Sequence, residues 1–498
     1  MLDEFSRDLD QALDRGDLGA SAWGQLKFTC SSMLINIGAA RHIRAAIDFG
    51  IRCAEDAIER ADEPELFEQL VFNVGNGRSA LHILNSREWR AEQPDLQPGI
   101  IALRDRENLR AIRRDFFDVG YSSAHWDVRG RALCNLANEL DHSGRWVEAY
   151  QAYVDALAAD PTNGNAAGNA AEMLRIRIAR GRGLVGHYAA LYDRYREQAQ
   201  THRARTVELA GEDVARRWDA LPPSGSAAHT SHDGDPLDDY QQWIKRHRLA
   251  LTLAVEGLGS DNPRWDSAMV DSVTVRIDEP GTPKIFTSMN VLKAEYLVAR
   301  RLAFEGETLL DESPFAQHPS DTGTYLDTLD MALYGETPAR LILAQRATLD
   351  LLDKIAVATN DHFQTGLSPR RVTFASYWRE PGDHVLRPGL PLPEKQTSAG
   401  VALAELAFDM DPAGIYPVAK TLRNAGTHRL VNLTWGDATG ATELAHSSVD
   451  ASTLVAATHE ALRVARAAYL YLIDLIGDQQ DAVPKVGNGA QLPILEQP

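Results

Sequence analysis

The sequence predicts an all-α protein, with a run of helical hairpins in the N-terminal half and a four-helix bundle in the C-terminal half. Two observations support this fold class: the chain is rich in Ala, Leu, Glu, Arg and Asp, and runs of alternating β-branched residues are few. The sole clear strand candidate is "SVTVRID", residues 272–278. At 498 residues with 44% hydrophobic content, the chain is expected to hold two or three folded units.

Charge and composition argue against several functional classes. The formal net charge of −19 argues against broad wrapping of nucleic acid, because phosphate binding needs clustered Lys and Arg, so any RNA contact must be local. Cys30, Cys53 and Cys134 are widely spaced and suggest neither a disulfide framework nor a structural zinc site. The acidic N-terminus and the lack of a membrane-length apolar stretch predict a cytoplasmic protein without membrane contact.

Residues 132–164 carry the most informative pattern in the N-terminal half. Apolar residues recur at helical spacing on both sides of a Ser-Gly turn, and Asp160, followed by proline, ends the second run. Small residues allow the two short helices to pack closely and antiparallel: Ala137, Ala149 and Ala156.

This stretch resembles a tetratricopeptide (TPR) repeat in its order of small, aromatic and closing Pro positions. One repeat cannot bury its own apolar face, so neighbouring repeats are expected. The triplet 135–137 recurs 34 residues later at 169–171, and less regularly upstream at 73–75. We therefore expect a helical-hairpin solenoid from about residue 20 to about residue 220, whose concave surface binds a partner.

Composition along the chain predicts five regions. A TPR-like repeat domain spans 1–219, and a Pro-, Gly-, Ser- and Asp-rich flexible linker spans 220–239. A connector at 240–285 leads to the bundle at 286–480, and a disordered tail occupies 481–498.

Three strong helices are predicted in the bundle. Asn290 can cap a helix that ends at Gly306. Thr337, followed by proline, opens the second helix. Asp450 can cap a third helix, which ends before Gly477. With the broken helical element described next, these apolar faces predict a four-helix bundle.

The fourth element is broken at Pro412 and begins again at Pro417. The predicted helix continues after His428 through three apolar residues: Leu430, Val431 and Leu433. It includes one of three Arg-x4-His spacings in the chain. These are Arg182 to His187, Arg379 to His384 and Arg423 to His428. Glycines or a Pro-Gly-Asp turn place the first two in loops, so only the third is expected on a helix.

The Arg423 to His428 spacing can bring several polar side chains close together on one helix. Asn424 and His428 are four residues apart and share one face of a helix, while the long side chain of Arg423 can reach the same point. Gly426 costs about 1 kcal/mol of helix stability relative to Ala but removes bulk beside these groups. Such a surface could admit a phosphate or another backbone.

"LRNAGTHR", residues 422–429, resembles the signature of HEPN (higher eukaryotes and prokaryotes nucleotide-binding) domains. "SMNVLKAEYLVARRLAFEGETLL", "AQRATLDLLDKIAVATNDHF" and "VTFASYWRE" resemble the first two helices and the following connector of one HEPN branch, whose members typically follow TPR repeats. The resemblance covers roughly 240–480 and implies a metal-independent endoribonuclease. It further implies a homodimer in which Arg423, Asn424 and His428 of both protomers form one composite site.

The implied chemistry is self-cleavage of RNA by its 2′-hydroxyl, with no cofactor and no metal. Histidine side chains exchange protons near neutral pH, so His428 could act as general acid or base, while Arg423 can make paired hydrogen bonds to phosphate oxygens. Asn424 would orient the phosphate or the imidazole, and Arg429 and Lys420 would steer phosphate. The resemblance also implies a bacterial defence or toxin setting, with a protein partner or trigger on the TPR-like region.

Structural interpretations of the same residues remain open. Taken alone, His428 would be an ordinary helix histidine and Arg423 a surface ion-pair residue. Four histidines without motif support are interpreted as structural: His362, His384, His446 and His459. Asp409 and Asp411 have carboxylate spacing, but a helix end follows and no third ligand accompanies them, so a metal is not expected.

Two other functions remain open as well. The protein could be a non-enzymatic TPR scaffold whose HEPN domain only dimerises or binds nucleotides. It could also be the target of an adenylyl-transferring partner. The second alternative is disfavoured because Leu430 stands where that group often has a tyrosine shortly after the histidine.

Overall fold

The computed structural model describes residues 2–60, 63–96, 98–225, 237–252, 265–270, 272–276, 283–315, 317–318, 320–321, 323–326, 332–380, 387, 390, 399–417, 430–435, 446–482 and 489–493. The chain divides into two compact units. The first comprises residues 1–180, 188–228 and 413–415, and the second comprises residues 181–187, 229–412 and 416–498. None of the described helices combines the length and the apolar character that a membrane span requires.

The N-terminal half is a run of helices joined by short turns. Their bounds are α1 Leu2–Asp14, α2 Ala20–Arg41, α3 Arg44–Ile58, α4 Pro64–Glu92, α5 Pro98–Arg104, α6 Arg106–Ser122, α7 Trp126–His142, α8 Trp146–Ala159, α9 Gly164–Arg180, α10 Val185–Thr201, α11 Arg203–Ala210 and α12 Glu212–Asp219. Consecutive helices pack in pairs, notably α2 with α3 and α7 with α8. This run of paired helices confirms the coarse N-terminal architecture. Its TPR-like and solenoid character stays a prediction.

The helix pair α7 and α8 follows the sequence pattern closely. Gly144 in the turn has φ of 74°, a left-handed conformation that glycine adopts without a steric penalty. Ala137, Ala149 and Ala156 are fully buried, so the two helices approach closely where the small side chains lie. The side chain of Asp160 accepts hydrogen bonds from the backbone and hydroxyl of Thr162 just beyond the end of α8.

The recurring triplets also occupy buried positions. Leu136 and Ala137 in α7 and Ala170 and Ala171 in α9 are all less than 2% exposed. The matching Val74 in α4 is 3% exposed. The aligned residues therefore pack helices together, as the sequence pattern predicts.

The C-terminal half contains the remaining described helices and all the described strands. In chain order these are α13 Asp239–His247, β1 Ser272–Arg276, α14 Lys284–Glu312, β2 Ala332–Leu333, α15 Glu336–His362, a 3₁₀ turn Pro369–Arg371, α16 Phe374–Tyr377, α17 Ala399–Asp409, β3 Leu430–Thr434, β4 His446–Asp450, α18 Ala451–Ala482 and β5 Gly489–Pro493. Helix α14 packs against α15, both contact α18, and α17 packs against α18. These four helices form the core of the second unit.

Two of the predicted helix ends in the bundle are correct and three are wrong. Helix α18 continues past Gly477 to Ala482, so its predicted end before Gly477 is one of the wrong ones. Helix α15 begins beside Thr337, and Asp450 accepts hydrogen bonds from the first backbone amides of α18, as predicted. Asn290 and Gly306, however, lie inside α14, which is longer at both ends than predicted. Gly306 is needed there for packing: a Cβ at this position would meet Cγ of Leu341 in α15 at 2.9 Å.

The predicted helix through Leu430, Val431 and Leu433 is wrong. These residues form β3, which pairs antiparallel with β2 and parallel with β4. Leu433 is 1% exposed and packs with the apolar residues at the start of α18. Pairing with β2 and β4, together with the burial of Leu433 and Thr434, outweighs the short helical pattern that the sequence displays.

A second difference lies near the C-terminus. Residues 489–493, predicted to be part of a disordered tail, form β5 and pair antiparallel with β1, with Ser272 opposite Pro493. Strand β1, Ser272–Arg276, confirms the described part of the strand predicted at 272–278. The strand partner of this glycine- and proline-containing segment lies more than 200 residues upstream, so the composition of the segment alone does not indicate the pairing.

Candidate functional site

The predicted catalytic and phosphate-steering residues lie outside the described residues. This applies to Lys420, Arg423, Asn424, His428 and Arg429. Their predicted helix and their mutual geometry therefore remain predictions.

Described residues flank this segment on both sides. Before it, the backbone amide of Tyr416 donates to the carbonyl of Asp409 at 2.9 Å, which closes the end of α17. After it, β3 begins at Leu430, directly following Arg429. Strand β3 pairs with β4, and β4 runs directly into α18, so the segment after the predicted motif is joined by strand pairing to the start of α18.

The other two Arg-x4-His spacings use their arginines in ion pairs. Arg182 contacts the carboxylate of Asp478 at 2.7 Å. Arg379 makes two hydrogen bonds to the carboxylate of Asp411. Asp411 is thus engaged by an arginine, and its neighbour Asp409 is fully buried.

Another group of polar side chains converges inside the second unit. His247 at the end of α13, Glu307 in α14 and His459 in α18 place one ligand atom each within 4.8 Å of one another. We call these three residues the His–Glu cluster. His459 Nε2 lies 2.7 Å from Glu307 Oε2, and the rings of His247 and His459 have centroids 4.1 Å apart. Three separate helices therefore supply two imidazoles and one carboxylate to one point.

Aromatic side chains enclose one side of the His–Glu cluster. The indole nitrogen of Trp243 donates to Glu307 Oε2 at 2.8 Å. The Trp243 ring also contacts both imidazoles, with centroid distances of 5.1 Å to His247 and 5.5 Å to His459. Phe304 packs against the Trp243 ring in an edge arrangement. The carboxylate is thereby held in a fixed orientation beside the two rings.

Helix α13, which carries Trp243 and His247, is anchored at both ends. At its start, Asp238 and Gln241 form a reciprocal capping box. Beyond its end, the buried guanidinium of Arg300 donates to the carbonyl of Leu249 at 2.9 Å, and that of Arg466 donates to the carbonyl of Ala250 at 2.6 Å. These two arginines belong to α14 and α18, the helices that supply Glu307 and His459.

The protonation of the cluster follows from its burial and charges. Burial, and then the proximity of His459, lower the pKa of His247 to about 4, so this imidazole is neutral at physiological pH. For Glu307, burial alone would raise the pKa, but the hydrogen bond and charge of His459 and the hydrogen bond from Trp243 outweigh it. The net effect is a lowered pKa and an ionised carboxylate.

Sequence reasoning did not find this cluster. His459 was interpreted as structural, and neither His247 nor Glu307 belongs to a short motif. The three residues are separated by 60 and 152 positions, and only the packing of three helices brings them together. The one available signal was the position of His459 on the buried side of a long amphipathic helix, which is far more often a feature of core packing.

Comparison with protein families finds one match. Residues 277–479 match the family described as LA2681-like HEPN. The matched segment includes α14, α15, α17, most of α18, and the stretch from Lys420 to Arg429. Comparisons with curated proteins and with solved structures find no match. An LA2681-like HEPN domain at 277–479 confirms the predicted HEPN portion, while no family match covers the N-terminal helices.

Proposed function

We propose that this chain, which carries an LA2681-like HEPN domain in residues 277–479, is a metal-independent endoribonuclease. One observation carries the proposal: the family match spans the Arg423 to His428 motif, the single Arg-x4-His spacing of the three that resembles the HEPN signature. The remaining two spacings have arginines held in ion pairs.

The proposed reaction is attack of a ribose 2′-hydroxyl on the adjacent phosphate. The step forms a bond from the 2′-oxygen to phosphorus and breaks the bond from phosphorus to the 5′-oxygen, which leaves a 2′,3′-cyclic phosphate and a 5′-hydroxyl. One imidazole accepts the proton of the 2′-hydroxyl and another donates a proton to the leaving oxygen. Arg423 holds the phosphate oxygens as negative charge develops, and Asn424 orients the phosphate or the imidazole.

A homodimer fits the need for both an acid and a base. Each motif supplies one histidine, His428, so two copies facing each other supply the two proton-transfer groups that the reaction uses. Arg429 and Lys420 add local positive charge to a chain with a net charge of −19, which confines RNA binding to the neighbourhood of the motif.

The N-terminal run of paired helices supports a regulatory part of the proposal. TPR-like helical pairs present surfaces that bind proteins, and here they precede the HEPN domain. The N-terminal half would bind a protein partner or trigger and restrain the nuclease until that partner arrives. Release of the nuclease would stop growth, as expected of a bacterial defence or toxin protein.

The test is cleavage of end-labelled total RNA and tRNA by the purified protein and by His428→Ala. A matched control is His384→Ala, which removes the histidine of another Arg-x4-His spacing. Because the N-terminal half is proposed to restrain the nuclease, we expect weak cutting by the full-length wild type and control and stronger cutting by their 237–498 versions. In the version that cuts, His428→Ala should lose at least about 100-fold, the lower range for removal of a general acid or base.

Two results would contradict the proposal. Equal cutting by wild type and His428→Ala would assign the activity to other residues. No cutting by the full-length protein, nor by a version containing only residues 237–498, would favour the non-enzymatic scaffold.

A further inference from the structure

The His–Glu cluster has the composition of a transition-metal site. Neutral imidazole and carboxylate are the ligands that Zn²⁺ and neighbouring divalent ions bind in proteins, and a site of two histidines and one glutamate leaves a further position for water. We propose that His247, Glu307 and His459 bind one divalent transition-metal ion of the Zn²⁺ type.

The spacing of the donor atoms fits such an ion. Metal-ligand bonds of about 2.0–2.2 Å place neighbouring ligand atoms about 3.3 Å apart in a tetrahedral site. The three donor atoms lie within 4.8 Å of one another, and His459 Nε2 lies 2.7 Å from Glu307 Oε2.

The imidazole of His247 is available to bind a metal ion. Within the described part of the chain, the ring nitrogens of His247 make no hydrogen bond, although the side chain is half-buried. Its ring contacts that of His459 at an interplanar angle of 42°, and α13 is anchored on both sides of it. A half-buried imidazole with a fixed position and no hydrogen-bond partner among these residues has a nitrogen available for coordination.

The residues that surround the His–Glu cluster hold one of its ligands by a hydrogen bond, as is usual around metal sites. Ligating carboxylates are usually held by hydrogen bonds from outer residues, and Trp243 donates such a bond to Glu307 at 2.8 Å. The charges near His247 are of both signs, since the positive side chains of Arg246 and Arg463 influence it as well as the negative Glu307. Glu307 is therefore the residue that offsets positive charge at the site, and its carboxylate is the ligand whose loss should weaken binding most.

The bound ion would connect three helices. His247 comes from α13, Glu307 from α14 and His459 from α18, so coordination would tie α13 to two helices of the bundle. The cluster shares no residue with the proposed ribonuclease motif, and this inference stands independently of the ribonuclease activity. EDTA-resistant RNA cleavage and metal binding can therefore both be true.

The experiment is titration of EDTA-treated, dialysed full-length protein with Zn²⁺ by calorimetry near neutral pH. Co²⁺ is the spectroscopic probe of coordination. The test variants are Glu307→Gln, which keeps an acceptor for Trp243, and His247→Gln. The control is His362→Gln, which changes another half-buried histidine of the same unit, hydrogen-bonded to Gln479 and outside the cluster. Circular dichroism and melting in EDTA establish that each variant is folded.

We expect the wild type and His362→Gln to bind one Zn²⁺ per chain, with a visible Co²⁺ spectrum of a site with nitrogen and oxygen ligands. Glu307→Gln and His247→Gln should bind at least about tenfold more weakly, and Zn²⁺ should no longer raise their melting temperature. Absence of Zn²⁺ binding by the folded wild type would overturn the proposal. Equal affinity in the wild type and both folded cluster variants would overturn it as well.

Discussion

His459 Nε2 lies 2.7 Å from Glu307 Oε2, and the same carboxylate oxygen accepts the indole proton of Trp243 at 2.8 Å. One glutamate thus joins side chains from three helices, α13, α14 and α18. Because Trp243 is buried and His459 is only 11% exposed, losing this acceptor would leave two polar groups without their partner.

Glu307→Ala should therefore destabilise the metal-free protein. We expect the free energy of unfolding to fall by about 1–3 kcal/mol, the cost of leaving buried polar groups unsatisfied. The measurement is chemical denaturation in EDTA. The control is Glu295→Ala, which breaks a surface ion pair with Lys354 and should cost at most about 1 kcal/mol. Equal losses of unfolding free energy in the two variants would show that the contacts of Glu307 stabilise the protein no more than a surface ion pair does.

Gly306→Ala should destabilise the bundle although alanine favours helices. A Cβ at this position would meet the Cγ of Leu341 at 2.9 Å and its backbone nitrogen at 3.2 Å. We expect a loss of about 1–3 kcal/mol from overpacking, against a gain of about 1 kcal/mol from helix propensity. Chemical denaturation of Gly306→Ala, Leu341→Ala and the double variant measures the change in the free energy of unfolding. The double variant should lose less than the sum of the single losses, and simple additivity would contradict the predicted clash.

Asp115 should make the first unit less stable as the pH rises. Burial raises the pKa of this carboxyl from 3.8 to about 6, although Arg78 lies 2.7 Å away and opposes the shift. Because the folded pKa is above the unfolded one, the contribution is full below about pH 3.8 and is lost as the pH rises through about 6. At about 1.4 kcal/mol per unit, the loss amounts to about 3 kcal/mol at most.

Comparison of the wild type with Asp115→Asn isolates this contribution, since the other titrating groups are common to both. Between pH 4 and pH 7, about the window set by the two pKa values, the unfolding free energy of the wild type should fall relative to that of the variant. Chemical denaturation at both ends of the window provides the measurement. A constant difference between the two proteins would mean that Asp115 titrates at its ordinary pKa.

Local patterns predicted the helical hairpins well. The turn glycine, the small residues and the closing Asp-Pro of α7 and α8 all act within about 30 residues of one another, so one stretch of sequence contains the whole interaction. Thr337 and Asp450 were likewise sound predictions, because a helix start depends on the few residues around it.

Long-range pairing accounts for the wrong predictions. Leu430 to Leu433 form a strand because β2 and β4 supply partners on both sides, and neither partner is visible in the apolar spacing of the segment itself. Gly306 resembled a helix end, but it is the contact point for Leu341 in α15. The His–Glu cluster is the extreme case, since its members are scattered over three helices and share no motif.

The most direct test of the ribonuclease account is the chemistry of the cut ends. A defined RNA cut by the wild-type protein in EDTA would be analysed by mass spectrometry, beside the same RNA carrying a 2′-deoxy nucleotide at the cleavage position. The account predicts 2′,3′-cyclic phosphate and 5′-hydroxyl ends, and no cutting at the deoxy position. Ends with 3′-hydroxyl and 5′-phosphate groups, or cutting at the deoxy position, would contradict attack by the 2′-hydroxyl at Arg423, Asn424 and His428.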